Sequence, residues 1–159
     1  MLRLTFLTIA LAAALPLAAQ SPADAATTAK PNNLAQKLID QGLVKHPEIV
    51  IFVMHVKNQD GSDYPIVASN IGRYGKKADE DDLRCINTGK TNLEVNATGN
   101  HFEVEMALHD KAKNVLGAIA VVFNYKAGDD KEALHKKAEK IREEVEKQIP
   151  SLAKLTGPA

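Results

Sequence analysis

The stretch His101–Tyr125, HFEVEMALHDKAKNVLGAIAVVFNY, decides the fold of this chain. Its first eight residues alternate between apolar and polar side chains, which is the pattern of a β-strand with one buried face. A polar turn at 109–114 follows, and Val115–Tyr125 returns as a long apolar strand that contains Gly117. A glycine inside a strand often marks a bulge or a close approach by another group. The stretch therefore predicts an antiparallel hairpin.

Three further strands are predicted outside this hairpin. Ile49–Val56 is rich in β-branched residues and apolar on both faces, so we expect a strand that is covered on both sides. Tyr64–Ser69 is a short strand with Pro65 at its start, where the missing N–H costs no ladder bond. Asn92–Ala97 precedes the hairpin. Because neighbouring strands are joined by tight turns, the five strands imply an antiparallel sheet with helices on its faces.

Helical patterns predict three helices around the sheet. The first begins at Leu34, after two asparagines that can each cap it, and Gly42 ends or bends it. The second covers Asp79–Thr88, between the second and third strands, with acidic residues in its first turn. The last covers 129–149 and carries one narrow apolar stripe on a charged surface. The fold class predicted from this order is α+β.

The N-terminus has the pattern of a secretory signal: Arg3, the apolar run Leu4–Leu15 and then small residues. The run is too short to span a bilayer, which disfavours an uncleaved anchor. Cleavage after Ala19 and cleavage after Ala25 both fit, and the small residue at 23 favours Ala25. We expect a periplasmic or secreted protein. The predicted segments are a signal peptide at 1–25, a flexible leader at 26–33, one domain at 34–149 and a tail at 150–159.

Composition disfavours several classes of function. Lys+Arg and Asp+Glu number 20 each, so charge does not favour a nucleic-acid partner. Cys85 is the only cysteine and cannot form an internal disulfide; it is a buried small residue, a free thiol or an intermolecular link. The chain lacks zinc-type CxxC pairs, a P-loop and a nucleophile placed beside a histidine and an acid. We therefore expect no cofactor and no enzymatic activity.

Four segments together resemble a known domain type: the strand and Asp-Gly turn at 53–61, the loop at 68–82 containing Arg73-Tyr74-Gly75-Lys76, the turn Thr88-Gly89-Lys90, and the hairpin at 104–122. Over Leu34–Tyr125 the chain resembles the extracellular PAS-like sensor domains called PDC or Cache domains. The resemblance implies a PAS-like sheet of about five strands. It also implies a pocket, between the sheet and the segment 70–89, for a small metabolite such as an amino acid or a carboxylate.

Members of that family usually lie between two transmembrane helices. No second apolar segment of that length follows the predicted domain here. We therefore expect a free-standing exported version, which would need a separate membrane signalling or transport protein to pass on a signal. The charge-balanced last helix is a candidate surface for a homodimer.

The loop Asn70–Lys77 supplies the first candidate contacts to a ligand. Arg73 offers a rigid fork for a carboxylate, and Tyr74 offers an aromatic wall with one hydroxyl. The alternative is a solvated loop with ordinary surface charge. His55, in an apolar strand, is expected to be hydrogen-bonded in the core or to line the pocket. The candidate ligand-binding residues are Arg73, Tyr74, Asn70, His55, Tyr64 and Arg84.

A metal site is the weaker interpretation of the polar face of the hairpin. His101, Glu103 and Glu105 share that face and form a nitrogen and oxygen donor set. Residues two apart on a strand are separated by roughly 6.5–7 Å, however, and converge on one ion only if the strand bends or a third element helps. We therefore predict no metal. A non-catalytic interaction protein with a self-filled interior, and an undetected hydrolase-like or haem-associated activity, are the other functions considered.

Overall fold

The computed structural model describes residues 29–158. The predicted signal peptide and residues 26–28 of the leader lie outside the described residues. The elements are α1 Leu34–Lys45, β1 Ile49–Val56, β2 Ile66–Ser69, α2 Glu80–Thr88, β3 Asn92–Val95, β4 His101–His109, β5 Val115–Asn124, α3 Lys131–Glu146 and α4 Leu152–Thr156. None of the helices within 29–158 has the length and apolar character needed to cross a bilayer.

The five strands form one antiparallel sheet in the order β2-β1-β5-β4-β3. The predicted hairpin pairs β4 with β5 along its length, from the Phe102–Phe123 pair to the Leu108–Gly117 pair. β5 is therefore the central strand, with β1 on its other side. The predicted α+β class and five-stranded antiparallel sheet are confirmed, and the architecture is consistent with a PAS-like fold.

The main hydrophobic core lies between one face of this sheet and the helices α1, α3 and α4. The apolar side chains of β4, which alternate with polar ones as predicted, face this core. They include Phe102, Val104 and Met106. α3 docks through the predicted narrow stripe, of which Ile141 and Val145 are buried. Burying a side chain of this size stabilises the fold by roughly 1.5–3 kcal/mol.

Helix α1 continues past Gly42 to Lys45, so the predicted end at that glycine is wrong. A Cβ atom at Gly42 would lie 2.6 Å from Cε1 of Phe52. The glycine therefore lets the helix approach the Phe52 ring. The helix begins as expected after an asparagine cap, because Oδ1 of Asn33 accepts a hydrogen bond from the backbone N–H of Gln36 at 2.8 Å.

The end of the chain is more structured than the sequence indicates. α3 begins after the cap Asp130 and ends at Glu146, three residues before the predicted limit. Within the segment predicted only as a tail, residues 152–156 form α4, and Leu155 is fully buried. Glu146 is buried and accepts hydrogen bonds from Nδ1 of His109 at 2.8 Å and from Nζ of Lys113 at 3.1 Å. This carboxylate therefore ties α3 to the β4–β5 turn.

Gly117 is the point of closest approach between β1 and β5. A Cβ atom at this position would overlap the carbonyl oxygen of His55 and lie 2.9 Å from Cα of Val56. Both neighbours are backbone atoms of a paired strand, so neither can rotate away. The close approach predicted for this glycine is confirmed.

We expect Gly117→Ala to destabilise the protein by about 3 kcal/mol, because the added methyl group forces two central strands apart. Gly42→Ala is the matched control. There the methyl group would lie 2.6 Å from Cε1 of the buried Phe52 ring, which has to shift, but alanine regains about 1 kcal/mol of helix propensity, so we expect a smaller net loss. Urea denaturation of both variants measures the difference. A Gly117→Ala variant no less stable than Gly42→Ala would contradict this account of the β1–β5 contact.

Candidate functional site

A pocket of about 520 Å³ lies on the face of the sheet opposite the main core. Its floor is apolar. The central strand contributes Ala120 and Val122 there, and these short side chains leave the space above the sheet open. β1 adds Ile51 and Val53 to the floor. The polar and charged residues that line the pocket are His55, Arg73, Lys76, Asp79, Asp82, Asn96, His101, Glu103 and Glu105.

One wall of the pocket is the loop that leads from β2 to α2. Its residues 75–78 fold back along β2, where Gly75 N–H donates to the Ile66 carbonyl at 2.9 Å and Ile66 N–H donates to the Lys76 carbonyl at 2.8 Å. Tyr74 is buried, and its hydroxyl donates to the Ser69 carbonyl at 3.0 Å. The loop is therefore held in place by backbone pairing and by one buried aromatic ring.

Of the six predicted ligand-binding residues, His55 and Arg73 line the pocket. Tyr74 packs in a small apolar cluster with floor residues of the pocket, including Val53 and Ala120, and uses its hydroxyl within the loop. The Tyr64 carbonyl accepts a hydrogen bond from Nδ1 of His55 at 2.9 Å. Tyr64 thus orients a pocket residue through its backbone.

The other two predicted residues, Asn70 and Arg84, make structural contacts and do not line the pocket. The Asn70 side chain bridges β2 to β1, donating to the Val50 carbonyl and accepting from Phe52 N–H, both at 2.9 Å. Arg84 lies on the exposed side of α2, where its guanidinium pairs with Asp81 at 2.7 Å and donates to Asn92 Oδ1 at 2.9 Å. Its charge is already compensated there.

Arg73 is the most available charge at the pocket. Its backbone adopts φ 63°, in the left-handed region, which costs a residue with a Cβ roughly 1–2 kcal/mol. Within residues 29–158 its guanidinium has no hydrogen-bond or ion-pair partner. Its neighbour Lys76, by contrast, lies 3.5 Å from Asp79. A strained residue with an unpaired guanidinium at a pocket is suited to binding an anionic group.

The inner end of the pocket contains a chain of three buried side chains from three different elements. His55 on β1, Asp82 on α2 and Glu105 on β4 are 6%, 4% and 6% exposed. Nε2 of His55 lies 3.4 Å from Oδ2 of Asp82, and the Asp82 carboxyl is close enough to that of Glu105 to raise the pKa of Glu105. These contacts hold the start of α2 against the sheet.

Two carboxyls at this end have pKa values above their usual range. Burial, the hydrogen bond with Asp82 and the surrounding negative charges raise the pKa of Glu105 to about 9. Burial and the nearby Glu94 carboxylate raise the pKa of Glu103. Glu105 therefore keeps its proton to a higher pH than an ordinary glutamate does.

Sequence reasoning missed Asp82 as a site residue because it fits the pattern of a helix start. Asp79 and Asp82 form a reciprocal capping box, in which each side chain accepts from the other's backbone N–H. The alternation of β4 placed Glu105 on a polar face, but the burial of that face by α2 is a tertiary contact. Within the described part of the chain, no group of three or more His, Cys, Asp and Glu side chains is arranged to hold a metal ion.

No family model and no curated protein matches the chain. It is similar to the second GAF domain of DevS from Mycobacterium smegmatis, with a TM-score of 0.46, 11% identity, and coverage of 70% of this chain and 90% of that one. It is also similar to a domain assigned to an IclR-family transcriptional regulator, with a TM-score of 0.46, 13% identity, and coverage of 79% and 97%. Neither likeness identifies a ligand for this chain.

The raised pKa of Glu105 predicts that the stability of the protein depends on pH. Since the pKa of Glu105 rises from 4.5 in its ordinary state to about 9 in the folded protein, its contribution is complete below 4.5 and is lost as the pH rises toward 9. Glu105→Gln removes this titration. Between pH 5 and pH 8 we expect the wild type to lose about 4 kcal/mol of unfolding free energy through this group, a loss that the variant does not have.

Denaturant unfolding at the two pH values measures this loss, and Glu143→Gln, at an exposed position on α3, is the control. Parallel pH profiles for wild type and Glu105→Gln would show that Glu105 is already ionised in the folded protein.

Proposed function

We propose that this protein is a small-molecule-binding, sensor-like domain, and that its ligand is a small metabolite bearing a carboxylate, such as an amino acid. One observation carries the proposal: a pocket of about 520 Å³ with the unpaired guanidinium of Arg73 at its lining. Guanidinium groups bind carboxylates through two parallel hydrogen bonds. A concave site with an apolar floor and a few converging polar groups is the usual form of a ligand site.

The pocket argues against the competing function, an interaction protein with a self-filled interior. The side chains over Ala120 leave open volume on this face, whereas the opposite face is closely packed. We propose a binding role rather than catalysis; Nδ1 of His55 is bonded to the Tyr64 carbonyl, and its Nε2 faces Asp82 at 3.4 Å.

Export and signalling through a partner belong to the same proposal. The charge, apolar run and small residues at 1–25 support secretion, and the resemblance to extracellular sensor domains supports a sensing role. We propose that a separate membrane signalling or transport protein reads the bound state.

Thermal shift with a panel of amino acids and organic acids tests the binding site. We expect at least one carboxylate to raise the Tm of the wild type, and Arg73→Asn to remove most of that shift, because the ligand loses its charged partner. Asparagine is chosen because it tolerates the left-handed backbone better than alanine. Arg84→Asn is the control and should keep the shift, since Arg84 does not line the pocket.

Ala120→Leu supplies a second test of the same site by filling the floor of the pocket. It should remove the shift while the variant remains folded. If every variant responds like the wild type, the ligand lies elsewhere; if no ligand in the panel changes the Tm, the function as a binder of carboxylates is wrong.

Export is tested by expressing the full chain in a secreting bacterium and sequencing the N-terminus of the protein recovered outside the cytoplasm. We expect the mature chain to begin at Ala26, because the small residues at 23 and 25 match a signal-peptidase site. A start at Gln20 would select the alternative cleavage site. Uncleaved protein that stays in the cytoplasm would contradict the proposed location.

A further inference from the structure

A second pocket, of about 450 Å³, lies between the β4–β5 turn and the C-terminal end of α3. It shares no lining residue with the pocket described above. Every residue that lines it is charged, in contrast to the apolar floor of the first pocket. Three of these residues are acidic, and the four basic ones are Lys111, Lys113, Arg142 and Lys147. The lining therefore carries more positive than negative side chains.

Two of the three acids are occupied by contacts within the fold. Asp110 is buried, and its carboxylate accepts hydrogen bonds from the N–H groups of Ala112 and Asn114 at 2.8 and 3.0 Å and from the Asn114 amide at 2.9 Å. Glu146 is buried as well and accepts from two side chains of the turn. Of the three, only Glu143 has a carboxylate without a hydrogen-bond partner within residues 29–158. The acids thus serve mainly to hold the turn against α3.

Three of the four basic side chains have donors that the fold leaves unused. Within residues 29–158 the side chains of Lys111 and Lys147 form no hydrogen bond and no ion pair. The Arg142 side chain is only 23% exposed, yet its guanidinium forms no hydrogen bond. Its Nε atom is buried and lies 3.7 Å from Oε1 of Glu146. A buried donor without a partner is destabilising, so this cluster is incomplete without a further acceptor.

The turn that carries two of the lysines is held in one conformation. Lys113 has φ 66°, in the left-handed region that a residue with a Cβ rarely adopts. The backbone N–H of Lys111 donates to the Ile149 carbonyl at 2.9 Å, which fixes the turn to the segment that follows α3. Strained residues of this kind cluster at binding sites, where the surrounding structure holds them in place.

The alternative role of these cations is to stabilise the end of α3, because the free carbonyls of a helix C-terminus carry partial negative charge. Here the carbonyls of Glu143, Val145 and Glu146 already accept hydrogen bonds from the N–H groups of residues 147–149. The alternative also gives no role to the side chain of Lys111, which belongs to the turn. It therefore explains only part of the cluster.

We propose that this second pocket binds the phosphate group of a small soluble ligand, either inorganic phosphate or a phosphate ester. A phosphate group has three strong acceptor oxygens, whereas a carboxylate has two, so it suits three cationic side chains with unused donors. The Arg142 guanidinium offers a planar fork for two of these oxygens, and the lysines supply point charges. The site is separate from the first pocket and does not depend on the function proposed for it.

Calorimetric titration with inorganic phosphate and with glycerol phosphate, at an ionic strength held constant with sodium chloride, tests this site. We expect Lys111→Gln and Lys147→Gln, both at exposed positions, each to weaken binding by about tenfold. Arg142→Lys keeps the charge but removes the fork, and should weaken binding as well. Glu143→Gln removes the acid that faces the ligand and should strengthen binding by about twofold to threefold.

Lys140→Gln is the matched control, because it removes the same charge from an exposed position on α3 outside the pocket. It should bind phosphate as the wild type does, and so should Arg73→Asn, which alters only the first pocket. Binding of glycerol phosphate alone would support the proposal and identify an ester as the ligand.

Equal weakening by Lys140→Gln and Lys111→Gln would show that phosphate responds only to net charge, and would overturn the proposal. Loss of phosphate binding in Arg73→Asn would place the anion in the first pocket and would also overturn it. The same holds if neither probe binds at millimolar concentration. None of these results bears on the binding of carboxylates in the first pocket, which the thermal-shift panel tests separately.

Discussion

The alternation of large and small side chains along β5 controls both faces of the sheet. Ile119, Val121 and Phe123 point to the side of α1 and α3, where they join the main core. Ala118, Ala120 and Val122 point to the other side, where the two alanines fill little volume. Because the strand is central, this one alternation produces a closely packed face and a hollow one. The pocket is thus a property of the strand sequence and of the two-residue period of a sheet.

The hollow face is covered by α2, and the contact that holds this helix also forms the inner end of the pocket. Asp82 completes the capping box of α2 and contacts both His55 and Glu105. A change of charge at the pocket end therefore acts on the helix start. Under the proposed function, ligand binding at this end would act on the position of α2 through the Asp82 carboxyl.

Much of the fold could be predicted because it depends on local patterns. The hairpin, the five strands and the cap of α1 each follow from periodicity or from one capping residue. The predicted helix end at Gly42 was wrong, because a helix-ending glycine and a glycine that makes room for an aromatic ring look alike in sequence. α4 has five residues, too few for a periodic signal. Asp82 and Glu105 come together only when α2 packs against the sheet. Neither the helix-start pattern at Asp82 nor the strand alternation at Glu105 could therefore predict their contact.

The position of Cys85 on α2 controls the reactivity of its thiol. Its side chain is fully buried, its Sγ donates to the Glu105 carbonyl at 3.4 Å, and burial raises its pKa to about 11. The thiolate is the reactive form of cysteine. Because the thiol is buried and its pKa is raised, alkylation or oxidation requires that the helix first move off the sheet. The rate at which an alkylating reagent modifies this thiol would therefore measure how often α2 leaves the sheet.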